Sequence, residues 1–472
     1  MATSRYIIQN EHKYKDNKFL LPLLIAFFFG LGVAFSAGGF NYGRVFAVAL
    51  VGIACLLNVE NAFCLIVFAF PFSSMLKLSI ETISILPVLY LIIIVKIIAK
   101  RKLTISPVSL VCFFLFAILQ ALCIVLYEAS YIGIISSLLN IAFVLFVTDY
   151  MTTQESATNS LLPKASLCFA TSTSLMLLLS DFFPDLPRLA HPQKYAELVE
   201  ANRYGATVLD PNELAQIILI SIGLLIAVMP SLKTRLAKLF SCIMIVYMAV
   251  TGIRTNSKSY AITLILLFTF LIFVYIRIVG KTKGSNTVLQ RFLPITIIAI
   301  AGIAFLLAYF VFPVFDARSA ENTDILTNRT NIWERYLSVL ASRGDVMLWG
   351  CGAGNITGLL KLVGQNSSAV PHNAYLEYII QFGAIGLLLL IASWNKTFSR
   401  IKEKFNSYYV LSLVAFLITA FGISVNANDC PYVLLSLLSI PLINNNPEII
   451  PTNKRGNLHV KEDLSQMETV SS

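Results

Sequence analysis

Residues 329–354, RTNIWERYLSVLASRGDVMLWGCGAG, and residues 371–394, PHNAYLEYIIQFGAIGLLLLIASW, decide how this chain folds. The second is a largely apolar run that opens on Pro371 and His372 and is long enough to cross ~30 Å of hydrocarbon at ~1.5 Å per residue. The first is polar, with Arg329, Trp333, Tyr336 and Leu340 at steps of three and four, which predicts a short amphipathic helix lying at a membrane surface. Glycines at 350, 352 and 354 then mark a tight bend.

The rest of the chain repeats the apolar theme. Of its 472 residues 57% are hydrophobic and 13% charged, and the mean hydropathy is +0.77, so a bilayer rather than one soluble core must take up the apolar surface. Runs of spanning length occur at about 19–38, 44–57, 61–77, 82–99, 106–127, 131–149, 163–183, 211–229, 236–253, 259–279, 291–312, 374–393, 408–424 and 430–443. The expected fold is an all-α, polytopic membrane bundle of about 12–14 transmembrane helices, with one long extracytoplasmic loop containing short helices. Residues 1–18 read as a cytoplasmic tail without a cleavable signal, 19–443 as the membrane domain with 313–371 as the large outer loop, and 444–472 as a disordered cytoplasmic tail.

The net charge of +10 is spread between apolar runs, which speaks for membrane anchoring and against a nucleic-acid surface. With both termini inside, sixteen of the twenty-three Lys and Arg on the inner side are Lys, whereas eight of the twelve on the outer side are Arg. The planar guanidinium fork matches phosphate oxygens in pairs, so arginines retained outside against the charge bias predict an anion held there. Arg203, Arg254, Arg329 and Arg335 make a candidate clamp for a diphosphate. Of the four histidines only His191 and His372 fall outside, and His372 stands where helix N-terminal amides disfavour imidazolium, leaving a neutral ring able to accept a proton. A capping or interfacial histidine is the alternative.

Helical phase brings Gly383 and Gly386 beneath His372, a bare face that suits either a neighbouring helix or an isoprenoid chain. Asp210 and Pro211 read as the N-cap and first residue of a span. Asp149, Asp181 and Glu377 lie near span ends without the regular arrangement a transporter's proton path needs. Six of the eight cysteines sit in apolar runs, a disulfide is open only to Cys351 and Cys430, and no metal-ligand spacing or Ser-His-Asp order is present.

Four segments in order resemble the O-antigen ligase and polysaccharide polymerase superfamily of bacterial membrane glycosyltransferases. They are RYGATVLDPNELA (203–215), TGIRTNSKS (251–259), Arg329-x3-Trp333 with Gly350-x-Gly352-x-Gly354, and His372-Asn373 followed after nine residues by Gly383-x-x-Gly386. The resemblance implies a metal-independent enzyme without cofactors in the bacterial cytoplasmic (inner) membrane. Its donor would be a glycan on undecaprenyl pyrophosphate at the outer leaflet and its acceptor a sugar hydroxyl. Arg203, Arg254 and Arg329 would then hold the pyrophosphate, His372 would take the acceptor proton, and the Gly383 face would accompany the polyprenyl tail. A polymerase acting on another lipid-linked repeat unit is the preferred reading, with a flippase and a chain-length regulator as partners. A ligase serving a lipid A core or protein acceptor is the first alternative, and a lipid-linked oligosaccharide flippase or other transporter the second.

Overall fold

The computed structural model describes residues 40–76, 85–100, 103–153, 160–185, 203–208, 210–280, 329–364, 370–424 and 429–442, with 32, 195–197 and 199 besides. Every element belongs to one compact unit, Met1–Pro441. Helices α1 (Phe40–Leu56), α2 (Val59–Ala69), α3 (Leu86–Ala99), α4 (Pro107–Tyr127) and α5 (Tyr131–Thr153) come first. They are followed by α6 (Leu161–Phe182), α7 (Pro211–Val228), α8 (Arg235–Ile253) and α9 (Lys258–Gly280). The loop region carries α10 (Arg329–Ser342), α11 (Gly344–Trp349) and α12 (Gly358–Lys361). The chain then runs through α13 (Ala374–Ser393), α14 (Asn395–Glu403), α15 (Val410–Thr419) and α16 (Cys430–Leu438). No strand occurs among the described residues.

This is an all-α, multi-pass membrane protein. The runs expected at 19–38 and 291–312, both terminal tails and the 313–328 part of the long loop lie outside the described residues; the other twelve runs each coincide with a helix. Six described helices are long and apolar enough to cross a bilayer: α4, α5, α6, α7 (with the turn to Ser231), α8 and α13. α4 and α8 sit at the periphery. Val108, Val111, Leu115, Ile118, Leu122 and Val125 form an exposed apolar stripe down α4, as do Leu236, Leu239, Ile243, Val246 and Val250 on α8, each at the three- and four-residue steps of a lipid-facing surface. α7 is interior, with buried residues all round. It meets α15 where Gly223 has no side chain, since a methyl group there would fall 2.7 Å from the Ser412 amide nitrogen.

Each end of the bundle is held by its own polar contacts. Asp149, at the end of α5, accepts from Lys396 Nζ (2.8 Å), the Thr104 amide (2.8 Å) and the Thr104 hydroxyl (2.7 Å). Nearby, Lys96 donates to the Cys55 carbonyl at 2.7 Å and Lys100 to the Tyr150 hydroxyl at 2.8 Å. The opposite end, where α6 and α8 finish and α7, α9 and α13 begin, holds Arg203, Arg254 and Arg329.

The GxGxG bend and α13 form one joint. Gly383 interrupts α13 with φ 62° and ψ 179°, a backbone region open almost only to glycine. Beside this break the Ile380 and Gln381 carbonyls accept from the amides of Cys351 (2.8 Å) and Gly352 (3.1 Å), and the Gln381 side chain accepts from the Gly354 amide (2.8 Å). Gly350, Gly352 and Gly354 all have positive φ, which explains three glycines in five residues. A methyl group at Gly383 would lie 2.4 Å from the Gly350 nitrogen, and Gly386 packs against Phe382, Leu119 and Phe116. Of the two occupants the sequence leaves open for the glycine face, neighbouring protein rather than an isoprenoid chain takes the space. Protein fills it at both positions, and the phase argument fails because the helix is broken at the first of them.

Candidate active site

Three chain segments converge at the N-terminal end of α7. Asp210 caps that helix, its Oδ1 accepting from the Asn212 (2.8 Å) and Glu213 (3.3 Å) amides, with Pro211 in the first turn as the sequence predicts. Asn212 is exposed by this turn as a hub. Its Oδ1 accepts from the Ser257 hydroxyl (2.8 Å) and, at the longer distance of 3.4 Å, from Arg203 Nη2. Arg203 Nε also reaches the Thr255 carbonyl at 3.4 Å, and Ser257 shares a hydrogen bond with Ser259 (2.8 Å). The α8–α9 turn is held in shape from below by Tyr260, whose ring lies over Gly252 and whose hydroxyl donates to the Ala249 carbonyl at 2.8 Å.

Arg329, at the first position of α10, completes this surface. A methyl group on Gly422 would sit 3.3 Å from Arg329 Nη1 and 3.5 Å from Ser259 Oγ, so the guanidinium and the serine flank the same glycine. Burial lowers the Arg329 pKa while Asp210 opposes the shift. One turn along α10, Trp333 donates from Nε1 to the Pro371 carbonyl at 2.8 Å. The helix thus brings Arg329 to the site and ties down the residue before His372 with the same face.

His372 is not in the helix. Asn373 is the N-cap of α13, its side chain accepting from the Tyr375 (3.1 Å) and Leu376 (3.2 Å) amides, so the capping alternative for His372 is removed. The histidine stands one residue outside with φ 49°, a left-handed conformation uncommon for any residue but glycine. Its half-buried ring is held below the ordinary imidazole pKa by burial first and by the Arg329 guanidinium second, with Asp210 pulling the other way. A neutral ring, two arginines, hydroxyl groups and one carboxylate within electrostatic reach of both His372 and Arg329 make a set able to take a proton from a hydroxyl and to neutralise a phosphate.

Two arginines of the expected clamp stand differently. Arg254 is paired with Asp181 (Nη1 to Oδ1, 2.7 Å), whose second oxygen accepts from the Tyr247 hydroxyl at 2.9 Å, and its guanidinium lies 4.3 Å from the centre of the Tyr204 ring. Its charge is thus already balanced. Arg335 is on an exposed face of α10, six positions and about 240° around from Arg329. Cys351 and Cys430 are both buried and not joined in a disulfide, because the Cys351 thiol is turned to the Asn355 carbonyl, 3.0 Å away. Among the described residues no three His, Cys, Asp or Glu side chains are grouped to hold a metal. Sequence reasoning quoted Trp333 and Asn373 within motifs, and Asn212 within the 203–215 segment, but gave none of them a role in the site; the signal for Asn373 was in view, since asparagine before an apolar run is a favoured cap.

No curated protein and no solved structure matches the chain. A family model does: residues 243–391 match the one described as Wzy_C, O-Antigen ligase, a stretch that takes in Arg254, Arg329, the glycine bend and His372. Over that stretch, about a third of the chain, the protein is similar to the O-antigen ligase and polymerase superfamily, and the match supports a membrane glycosyltransferase-like enzyme.

Proposed function

We propose that the protein is a polysaccharide polymerase of the O-antigen, capsular or exopolysaccharide type, working at the outer face of the bacterial cytoplasmic membrane with both termini cytoplasmic. It transfers a glycan from undecaprenyl pyrophosphate to a sugar hydroxyl of another lipid-linked repeat unit. His372, neutral at pH 7, takes the proton of the attacking hydroxyl. The new bond to the anomeric carbon forms as the carbon–oxygen bond to phosphate breaks, and the lipid pyrophosphate leaves with its electron pair. Arg329 and Arg203 neutralise that leaving group, so guanidinium groups supply the charge in this reading. Arg254 and Arg335 drop out of the phosphate set for the reasons of geometry given above.

The observation that carries the proposal is that His372, Arg329 and Asp210 lie within electrostatic reach of one another at the start of α7, while hydrogen bonds lead from Arg203 through Asn212 and Ser257 to Ser259, which flanks Gly422 together with Arg329. A second reading, a ligase with a lipid A core or protein acceptor, needs the same donor site and agrees equally well with the matching family model. Deletion of the gene followed by analysis of surface glycan separates the two. Single repeat units on the final acceptor mark a lost polymerase, and full-length chains left on carrier lipid mark a lost ligase. An unchanged glycan profile defeats both.

A further inference from the structure

A cleft of about 220 Å³ opens beside the site, lined by Ser180, Asp181, Tyr195, Arg203, Tyr204 and Arg254, with Val199 on its rim. We infer that this cleft is a carbohydrate subsite that receives the first sugar of the donor, the one attached to the pyrophosphate. The inference rests on the donor assignment above and deepens it.

Three observations support it. The first is adjacency: Arg203 lines the cleft and also reaches Asn212, so one side chain borders both the cleft and the surface assigned to phosphate. A sugar joined to that phosphate by a single glycosidic oxygen has to lie next to it, whereas an acceptor has to approach His372 instead. The second is charge. Arg254 is committed to Asp181, and that carboxylate also holds the Tyr247 hydroxyl, so this wall of the cleft presents a neutral pair rather than a free cation to a diphosphate. Asp210, the carboxylate on the phosphate side, is by contrast turned into the amides of its own helix.

The third is the chemistry of the lining. An arginine–aspartate pair offers N–H donors and carboxylate acceptors side by side, which is what vicinal hydroxyls of a pyranose require, and Tyr195 on the same lining adds a phenol to that mixed character. The Arg254 side chain is 52% exposed and its ion pair uses one of its terminal nitrogens, so further donors face outward. The volume is below the ~300–1,000 Å³ of drug-sized pockets and suits a single ring. One face of the Tyr204 ring is taken by the guanidinium, which fixes Arg254 in place and makes it part of a rigid wall.

The test uses the full chain in lipid nanodiscs and two probes. One is undecaprenyl pyrophosphate without sugar; the other is the lipid-linked repeat unit extracted from a host strain lacking this protein. Asp181→Asn removes the carboxylate, and Val199→Trp fills the cleft from an exposed rim position whose side chain makes no hydrogen bond. Each should weaken the sugar-bearing lipid at least tenfold while binding of the bare lipid stays within about twofold or tightens. Equal losses for both probes would make the cleft a phosphate site, and no loss for either would make it irrelevant to the donor; both results overturn the inference. Arg329→Gln should weaken both probes. Failure of the unaltered protein to bind bare undecaprenyl pyrophosphate would instead strike the donor assignment itself, a result distinct from either of the others.

Discussion

Gly383→Ala separates the joint described above from a lipid groove. The glycine occupies φ 62°, ψ 179°, and placing an alanine in such a region costs of order 1–3 kcal/mol in backbone strain. The added methyl group would also stand 2.4 Å from the Gly350 nitrogen and 2.5 Å from the Leu348 carbonyl oxygen, both backbone atoms of a bend whose own glycines leave it little room to retreat. Relief requires separating the bend from α13, which strains the Cys351 and Gly352 hydrogen bonds and adds ~1–3 kcal/mol of overpacking. The expected cost is about 2–6 kcal/mol. Gly386→Ala is the control: its methyl group would meet side-chain carbons at 3.2–3.6 Å, so its cost should stay under ~1 kcal/mol. Thermal unfolding in detergent, read by size-exclusion fluorescence, should show a large fall for the first variant and almost none for the second. If the glycine face were an isoprenoid groove, both variants would keep wild-type stability and both would lose transfer. Equal stability of the two would therefore refute the joint.

His372→Ala should abolish glycan transfer with membrane levels of the protein unchanged, and near-normal chain length in that strain would take the histidine out of the mechanism. With the imidazole pKa held below its ordinary value, the base is active above that lowered pKa, so activity should rise with pH on a limb centred below about 6.5 and stay flat through neutrality. Stability has the same sign: the unfolded chain binds this proton more readily, so the His372 contribution grows as pH rises from the lowered folded pKa to the unfolded one, which a pH series of unfolding midpoints checks. Asp210→Asn preserves a good N-cap but deletes the charge that raises the histidine pKa, so the activity limb should move to still lower pH; a move upward would contradict the proximity of the two groups. Arg329→Lys should lose at least tenfold in turnover, because a point charge cannot replace a paired fork, and full activity would count against bidentate contact. At the other end, Asp149→Ala should cost about 2–3 kcal/mol of stability through its three charge-assisted hydrogen bonds while sparing the per-molecule transfer rate.

Local signals were legible in the sequence, and tertiary ones were not. Apolar run length marked twelve described helices, the three- and four-residue steps marked α10, and Asp210-Pro211 marked the start of α7, because each of these depends on neighbours within a turn or two. The arginine bias in the sequence picked out a set of four. It failed in the particulars of Arg254, whose partner Asp181 lies 73 positions earlier, and of Arg335, whose helical phase relative to Arg329 could have been worked out beforehand. The Gly383 error has a sharper cause. Projecting residues onto a helical wheel assumes regular φ and ψ throughout, and the residue chosen as the groove is the one at which that regularity stops.

The same reasoning explains why a histidine adopts φ 49° at the centre of the site. Pro371 is buried with its carbonyl held by Trp333, and Asn373 is committed to the two amides it caps, so His372 is bracketed by two residues that cannot turn. The left-handed conformation costs it roughly 1–2 kcal/mol, which packing on either side sustains. Strain maintained in this way aims the ring independently of any ligand, and the anchor is on α10, the helix that also carries Arg329. Base and guanidinium are therefore positioned by one element, and a change in how α10 packs moves both together. Trp333→Phe tests this coupling: loss of the Nε1 hydrogen bond should lower turnover and shift the histidine-dependent limb of the pH profile, since the distance to Arg329 would no longer be held. A fall in turnover with that limb unmoved would mean that Trp333 supports the fold alone.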